Sequence, residues 1–352
     1  MSASTAAARI AGLVGPLKRH KRTIQAAVLA LIAVFLGASV ARSWAQLATY
    51  HWQVEWGLLA AAFALLVAQE LSFGFIWRAI LARMGSRLDV ISSQRIYLGA
   101  ELVRYIPGNV WHVITRVLWA ERRGVPKATG FASMVVELAT KIAAAALVFA
   151  LSLFFWPDTR ALALPIPRGA LIAAGAVAVP LLLLGMQPRL LRGALNVALA
   201  KLGREPVAFS LRYGDVLAVT LGWAASWVVA GAGFYLLARA LVATPLPPAA
   251  LPIAIGIYAI GWDVGFLAFV TPSGLGFREV TLAFLLTQSG VVPGAAGAGL
   301  AAVIAILARL LATGAELACI TAAYVAPGGR QLARDELARA TSGGSGGGGG
   351  EE

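Results

Sequence analysis

Long apolar runs separated by short polar breaks fill the chain from Thr23 to Val325. Seven runs are long enough to cross a bilayer as helices, which takes about 20 mostly apolar residues. They are Thr23–Ala41, Trp56–Leu81, Thr129–Trp156, Gly169–Met186, Val216–Leu241, Ala249–Val270 and Ala295–Val325. Two regions interrupt this pattern. Ile96–Trp119 is moderately apolar, breaks at Pro107-Gly108, and carries Glu101, Arg104 and Arg116. Pro272–Val292 breaks in the same way at Pro272, Gly274 and Gly276, just before Arg278 and Glu279. A bilayer tolerates unwound backbone only where protein or a water-filled cavity receives it. Charged side chains at that depth are costly and usually functional. The two segments therefore predict a polar site inside a membrane protein.

The charge pattern sets an orientation, because basic residues collect on cytoplasmic loops. Arg9, Lys18, Arg19, Lys21 and Arg22 place the N-terminus inside. Arg83, Arg87 and Arg95 precede the first broken region, and Arg122, Arg123 and Lys127 follow it. Both flanks read as cytoplasmic, which predicts a re-entrant hairpin there. The loop Gln187–Arg212 also reads as inside, and the uncharged loop Val242–Pro248 as outside. Arg330, Arg334 and Arg339 favour an inside C-terminus, which needs an eighth crossing through Pro272–Val292.

Composition fixes the class. The 352 residues are 59% hydrophobic and only 13% charged, against about 25% charged in soluble domains. The expected fold is an all-α polytopic membrane protein, with seven to eight transmembrane helices and one or two re-entrant segments. Residues 1–22 form a basic cytoplasmic arm and 23–327 a single transmembrane domain. Residues 328–340 form a polar tail, and the Gly/Ser-rich 341–352 reads as a linker or tag remnant. The net charge of +13 fits loops facing anionic lipid. No basic run is interleaved with aromatics in a way that suggests nucleic acid. The single Cys319 and the three histidines make no metal-ligand pattern, and no phosphate-binding loop motif is present. No cofactor is expected. The first apolar stretch lacks a cleavage site and reads as a span rather than a signal peptide.

The broken segments suggest an internal repeat, with halves 23–187 and 213–327. Each follows two apolar runs. Each precedes a long run with internal charges, Glu137 and Lys141 in one half and Arg309 and Glu316 in the other. Interrupted segments at corresponding places point to a transporter site. Glu137 and Lys141 are four residues apart and share a helix face. They read either as a neutralised structural pair, or as a lysine that binds an anionic head group beside a carboxylate that tunes it. Arg309 and Glu316 are seven apart, again on one face. Glu70 and Asp263 are further charges within spans. Around Pro107-Gly108, Arg104, His112 and Arg116 surround amides near Asn109 that suit an anion. The plainer alternative is an amphipathic cytoplasmic helix with arginines at lipid phosphates. For Arg278-Glu279 the plainer alternative is a turn closed by a local ion pair.

Two motifs carry a family resemblance. Arg104, Tyr105, Pro107, Gly108 and Asn109 form an R-Y-x-P-G-N core that resembles the first motif of the lysylphosphatidylglycerol synthase transmembrane region, also called flippase-like proteins. Pro272–Glu279, P-S-G-L-G-F-R-E, is similar to that family's second motif. Ser273 stands where a glycine is usual, and the helix after the first motif carries Glu137-Leu138 and then Lys141. The resemblance implies a membrane domain that moves or binds lipids, aminoacylated phospholipids and polyprenyl-linked glycolipids among them. Aminoacyl transfer in the full synthases belongs to a separate soluble domain, so none is expected of these residues.

The leading expectation is a non-enzymatic transporter in a bacterial inner membrane. It would move an anionic or polyprenyl-phosphate-linked lipid through a cationic cavity. Arg104, Asn109, His112, Arg116, Lys141, Arg278 and Arg309 would meet the phosphate. Glu70, Glu137, Asp263, Glu279 and Glu316 would balance charge or carry protons. Two alternatives are an intramembrane head-group transferase, with His112 beside Glu101 or Glu137, and a lipid-holding partner of a glycosyltransferase.

Overall fold

The computed structural model describes residues 34, 41, 44, 48, 52, 54–102, 111–157, 166–201, 211–242, 246–268, 271, 274–292 and 297–325. Ten α-helices occur among them. They are α1 Trp56–Arg83, α2 Val90–Leu102, α3 Trp111–Glu121, α4 Lys127–Ser152, α5 Arg168–Gly185, α6 Pro188–Lys201, α7 Tyr213–Leu241, α8 Ala250–Leu267, α9 Phe277–Gln288 and α10 Gly297–Val325. A 3-10 turn, Leu153–Phe155, extends α4. Six helices (α1, α4 with its 3-10 turn, α5, α7, α8 and α10) are long and apolar enough to cross a membrane. They match six of the seven expected spans to within a few residues. The remaining span, Thr23–Ala41, falls outside the described residues apart from Val34 and Ala41.

The two broken regions resolve differently. In the first, α2 packs against α3, with residues 103–110 between them outside the described set. In the second, the only helix is α9, of 12 residues. At 1.5 Å per residue it is about 18 Å long, short of a hydrocarbon core of about 30 Å. The segment expected to supply an eighth crossing thus contains no spanning helix of its own among the described residues. The stretch Gln187–Arg212, expected as a loop, holds the helix α6. Leu190 and Val197 are exposed on it together with Arg189 and Arg192, while Leu191 packs on the core. Such a helix is too short and charged to span, and it suits the membrane interface.

Packing explains the arrangement. α7 lies against α1, α4 and α8, and α10 lies against α1, α2 and α9. Lipid tails give helices no hydrophobic reason to associate, so close approach of small residues and interhelical hydrogen bonds matter more. Gly231 on α7 faces the backbone of α8: a Cβ there would sit 2.4 Å from Ile255 Cα. Gly256 on α8 abuts Ser152 at the end of α4 in the same way. Ser72 and Ser226 hydrogen-bond across α1 and α7 at 2.8 Å. Trp77 Nε1 donates to Ser133 Oγ on α4 at 3.0 Å. Large aromatic side chains (Trp77, Trp223, Trp227, Phe234 and Tyr258) fill the centre. Leu181, Leu184, Leu221 and Leu310 point outward, as side chains facing lipid should. Outside the spans, Asp89 Oδ1 accepts the Ser92 amide at 2.8 Å at the start of α2. That hydrogen bond holds its carboxyl below the usual carboxylate range.

The glycine contacts give a direct test. Gly231→Val should destabilise the protein by about 1–3 kcal/mol, the usual cost of overpacking. Gly222→Ala, whose added Cβ meets only Ile76 at 3.6 Å, should be tolerated. Thermal unfolding of the two variants in detergent should separate them clearly.

Candidate functional site

A cavity of about 350 Å³ lies between α1, α2, α3, α4, α8, α9 and α10. It gathers most of the charged groups singled out in the sequence. His112, Arg116, Lys141, Arg278 and Arg309 line it, as do Glu70, Glu101, Glu137 and Glu316. Gly274, Thr271 and Gly265 form part of its wall. The remaining candidates Arg104, Pro107, Gly108, Asn109 and Pro272 lie outside the described residues. Glu279, Asp263 and Gly276 are close by but do not face the cavity. The wall thus carries four strong cations and four carboxylates, of which Glu70, Glu137 and Glu316 were expected to balance charge or carry protons. How each cation is accommodated decides what it can do.

Arg116 is held by the protein itself. Its side chain is 3% exposed and bonds Glu137 at 2.5 Å and Glu101 at 3.2 Å. Its guanidinium also lies 4.0 Å from the centre of the Tyr97 ring and 5.4 Å from that of Trp77. The Tyr97 hydroxyl donates to the other Glu137 oxygen at 2.8 Å. A buried ion is tolerable only with this degree of pairing. Arg116, expected to meet a lipid phosphate, is therefore primarily the lock that joins α2, α3 and α4. Glu137, expected beside Lys141, bonds Arg116 and Tyr97. An arginine fork and a tyrosine hydroxyl saturate a carboxylate better than one ammonium a helical turn away.

Lys141 points among aromatic rings. Its Nζ lies 3.8 Å from the centre of Phe73, 4.6 Å from Trp262, 4.8 Å from Trp223 and 5.9 Å from Trp227. Each such contact is worth about 0.5–2 kcal/mol, most when water is excluded. Trp227 Nε1 donates to the Lys141 carbonyl at 3.2 Å, so one ring is fastened to the lysine's own helix. Asp263, buried beside Trp262, lies within electrostatic range of Lys141. Tyr97, Phe73 and these tryptophans were not anticipated as site residues. Trp223 and Trp227, four apart on one face of α7, were the available signal, but the same spacing is ordinary for a packed core.

The second broken segment builds the opposite wall. Gly274 and Gly276 have φ of 65° and 90°, left-handed values that favour glycine. A Cβ on Gly274 would also strike the Gly265 carbonyl oxygen at 2.2 Å. The turn brings α9 back against the end of α8. Glu279, in the first turn of α9, accepts the Gly276 amide at 2.5 Å and faces Arg309, with Nε 3.9 Å from Oε1. The local Arg278–Glu279 pair considered from sequence is replaced by this helix cap and by the pairing with α10. A carboxylate at a helix N-terminus is favoured by the helix dipole.

Arg278 is left in a different situation. It is 8% exposed and its guanidinium lies 4.7 Å from the centre of the Tyr258 ring. Its Nε and Nη2 are buried without a hydrogen-bond partner in the structure. A guanidinium beside a cavity with two unsatisfied donors is an arrangement that an oxyanion can complete, because the fork matches two oxygens of one phosphate or carboxylate.

The roles of the two arginines separate experimentally. Arg116→Ala strands two buried carboxylates and should lower stability by about 3–5 kcal/mol. Arg278→Gln removes a charge that has little internal compensation and should leave stability nearly unchanged. Unfolding midpoints in detergent measure both, and equal losses would contradict the assignment.

Comparison with known proteins agrees with the site's setting. No curated protein matches the chain. The family described as lysylphosphatidylglycerol synthase TM region matches residues 23–315, which covers α1 to α9, most of α10 and all the described charged groups except Glu316. The protein is a multi-pass membrane protein and belongs to the lysylphosphatidylglycerol synthase transmembrane family.

Proposed function

We propose that the protein carries a lipid with a phosphate or pyrophosphate head group across a bacterial inner membrane. Arg278 carries this reading. It lines a cavity of about 350 Å³, which is the size range of small-ligand sites, and two of its donors are buried without a partner. The head group would bind there by bidentate hydrogen bonds, and its acyl or isoprenoid tails would stay in the bilayer. Arg309, on the same cavity wall and held in place by Glu279, would add a second positive charge. Polyprenyl-phosphate-linked and anionic phospholipids both meet these requirements.

The cavity is lined from both halves of the chain, 23–187 and 213–327. α4 of the first half packs on α8 of the second, and α1 on α10. Rocking of one half on the other would expose the cavity first to one side and then to the other. In this scheme α2 and α3 enter from the cytoplasmic side as a hairpin, and the N-terminus is cytoplasmic. Glu101 and Glu137, either of which would pair with His112 in the enzymatic alternative, are both engaged by Arg116. That favours transport over head-group chemistry.

Reconstitution in vesicles loaded with a labelled anionic phospholipid or polyprenyl phosphate tests the proposal. Arg278→Gln should cut head-group translocation at least tenfold, and Arg309→Ala should do so as well, with both proteins monodisperse. Transport at the wild-type rate in Arg278→Gln would sink the assignment. Conversion of the labelled lipid into a new head group would replace it with the enzymatic reading.

A further inference from the structure

The aromatic box around Lys141 is a complete ammonium site built inside the protein. Four rings surround one ammonium at 3.8 to 5.9 Å. The Asp263 carboxyl group lies within electrostatic range of the same lysine, and its Oδ1 is buried without a hydrogen-bond partner. Aromatic rings grouped around a cation are what recognises methylated ammonium groups in ligands. The rings hold their places without the lysine. Phe73 packs on Trp223 with centroids 5.3 Å apart, and Trp227 packs on Trp262 at 5.1 Å. Two of the rings, Phe73 and Trp262, also form part of the cavity wall. The box therefore borders the cavity and is filled by a cation tethered to α4.

We infer that Lys141 is a specificity-determining residue: it occupies an aromatic ammonium cage beside the head-group cavity and so denies that cage to head groups carrying an amine. A head group entering the cavity then meets a resident positive charge. It is accepted by its anionic part and cannot anchor an ammonium among the rings. Shortening the side chain would vacate a preformed cage, since the rings are fixed by one another and by the bond from Trp227 to the Lys141 carbonyl. Lys141→Met would keep the cage filled with an uncharged chain of similar length.

This inference stands on the cage and goes beyond the transport reading, because binding to the purified chain is read whether or not it moves lipid. The experiment titrates methylammonium chloride into the full chain in detergent, against equal concentrations of sodium chloride, and follows tryptophan fluorescence. Lys141→Ala should show a saturable change with half-saturation at least tenfold below any response of wild type or Lys141→Met. If Lys141→Ala is poorly folded in sodium chloride, methylammonium in the purification buffer should restore a monodisperse protein and raise its unfolding midpoint. Neither saturable fluorescence change nor rescue would overturn the inference and leave the rings as packing around a structural lysine. Equal responses in Lys141→Ala and Lys141→Met would overturn it too, since they would place the amine elsewhere.

Discussion

The Arg116–Glu137–Glu101 cluster is the interaction on which the rest depends. A guanidinium taken into a region that excludes water loses several kcal/mol of hydration. Two carboxylates and two aromatic faces replace what is lost. Glu101 is on α2, Arg116 on α3, Glu137 on α4 and Trp77 on α1, so four helices are tied to one charge. The cluster holds the two arms of the first broken region together and presses them on the bundle. Without it α2 and α3 are too short and too polar to have a stable place beside α1 and α4.

Four cations share one cavity wall and each meets the cost of burial differently. Arg116 has carboxylates, Arg309 has Glu279, Lys141 has four rings and Arg278 has one ring with two donors left over. This division separates structural from binding roles more sharply than charge alone does. A cation already saturated by the protein gains little from a ligand. A cation with unsatisfied donors gains the full strength of a charge-assisted hydrogen bond. The second glycine turn matters for the same reason. By folding α9 back on α8, it sends Glu279 toward Arg309 and leaves Arg278 on the cavity side.

The exterior follows from the solvent. Leucines and valines cover the outward faces of α5, α7 and α10, while the charged groups converge inward. In water this distribution would cause aggregation; in a bilayer it is the low-energy arrangement. The helices then rely on glycine and serine contacts for close packing, as at Gly231, Gly256 and the Ser72–Ser226 bond.

The sequence by itself determined the class, six described spans nearly to their ends, the glycine turn before α9 and the family. Apolar length and the Pro/Gly interruptions are local properties, and hydration decides them before any packing occurs. It also identified nine charged or polar groups that do reach the cavity or its rim, because a charge within an apolar run has few other reasons to persist. Local spacing misled where partners come from other helices. Glu137 and Lys141 share a face of α4, yet one turns to α3 and the other to rings on α1, α7 and α8. Pro272–Val292 has nearly the length of a span, yet the left-handed glycines restrict its helix to α9. Even the amphipathic α6 hid within a basic loop. Which cation is locked, which is caged and which keeps open donors is a matter of three-dimensional neighbours, and only the tertiary structure decided it.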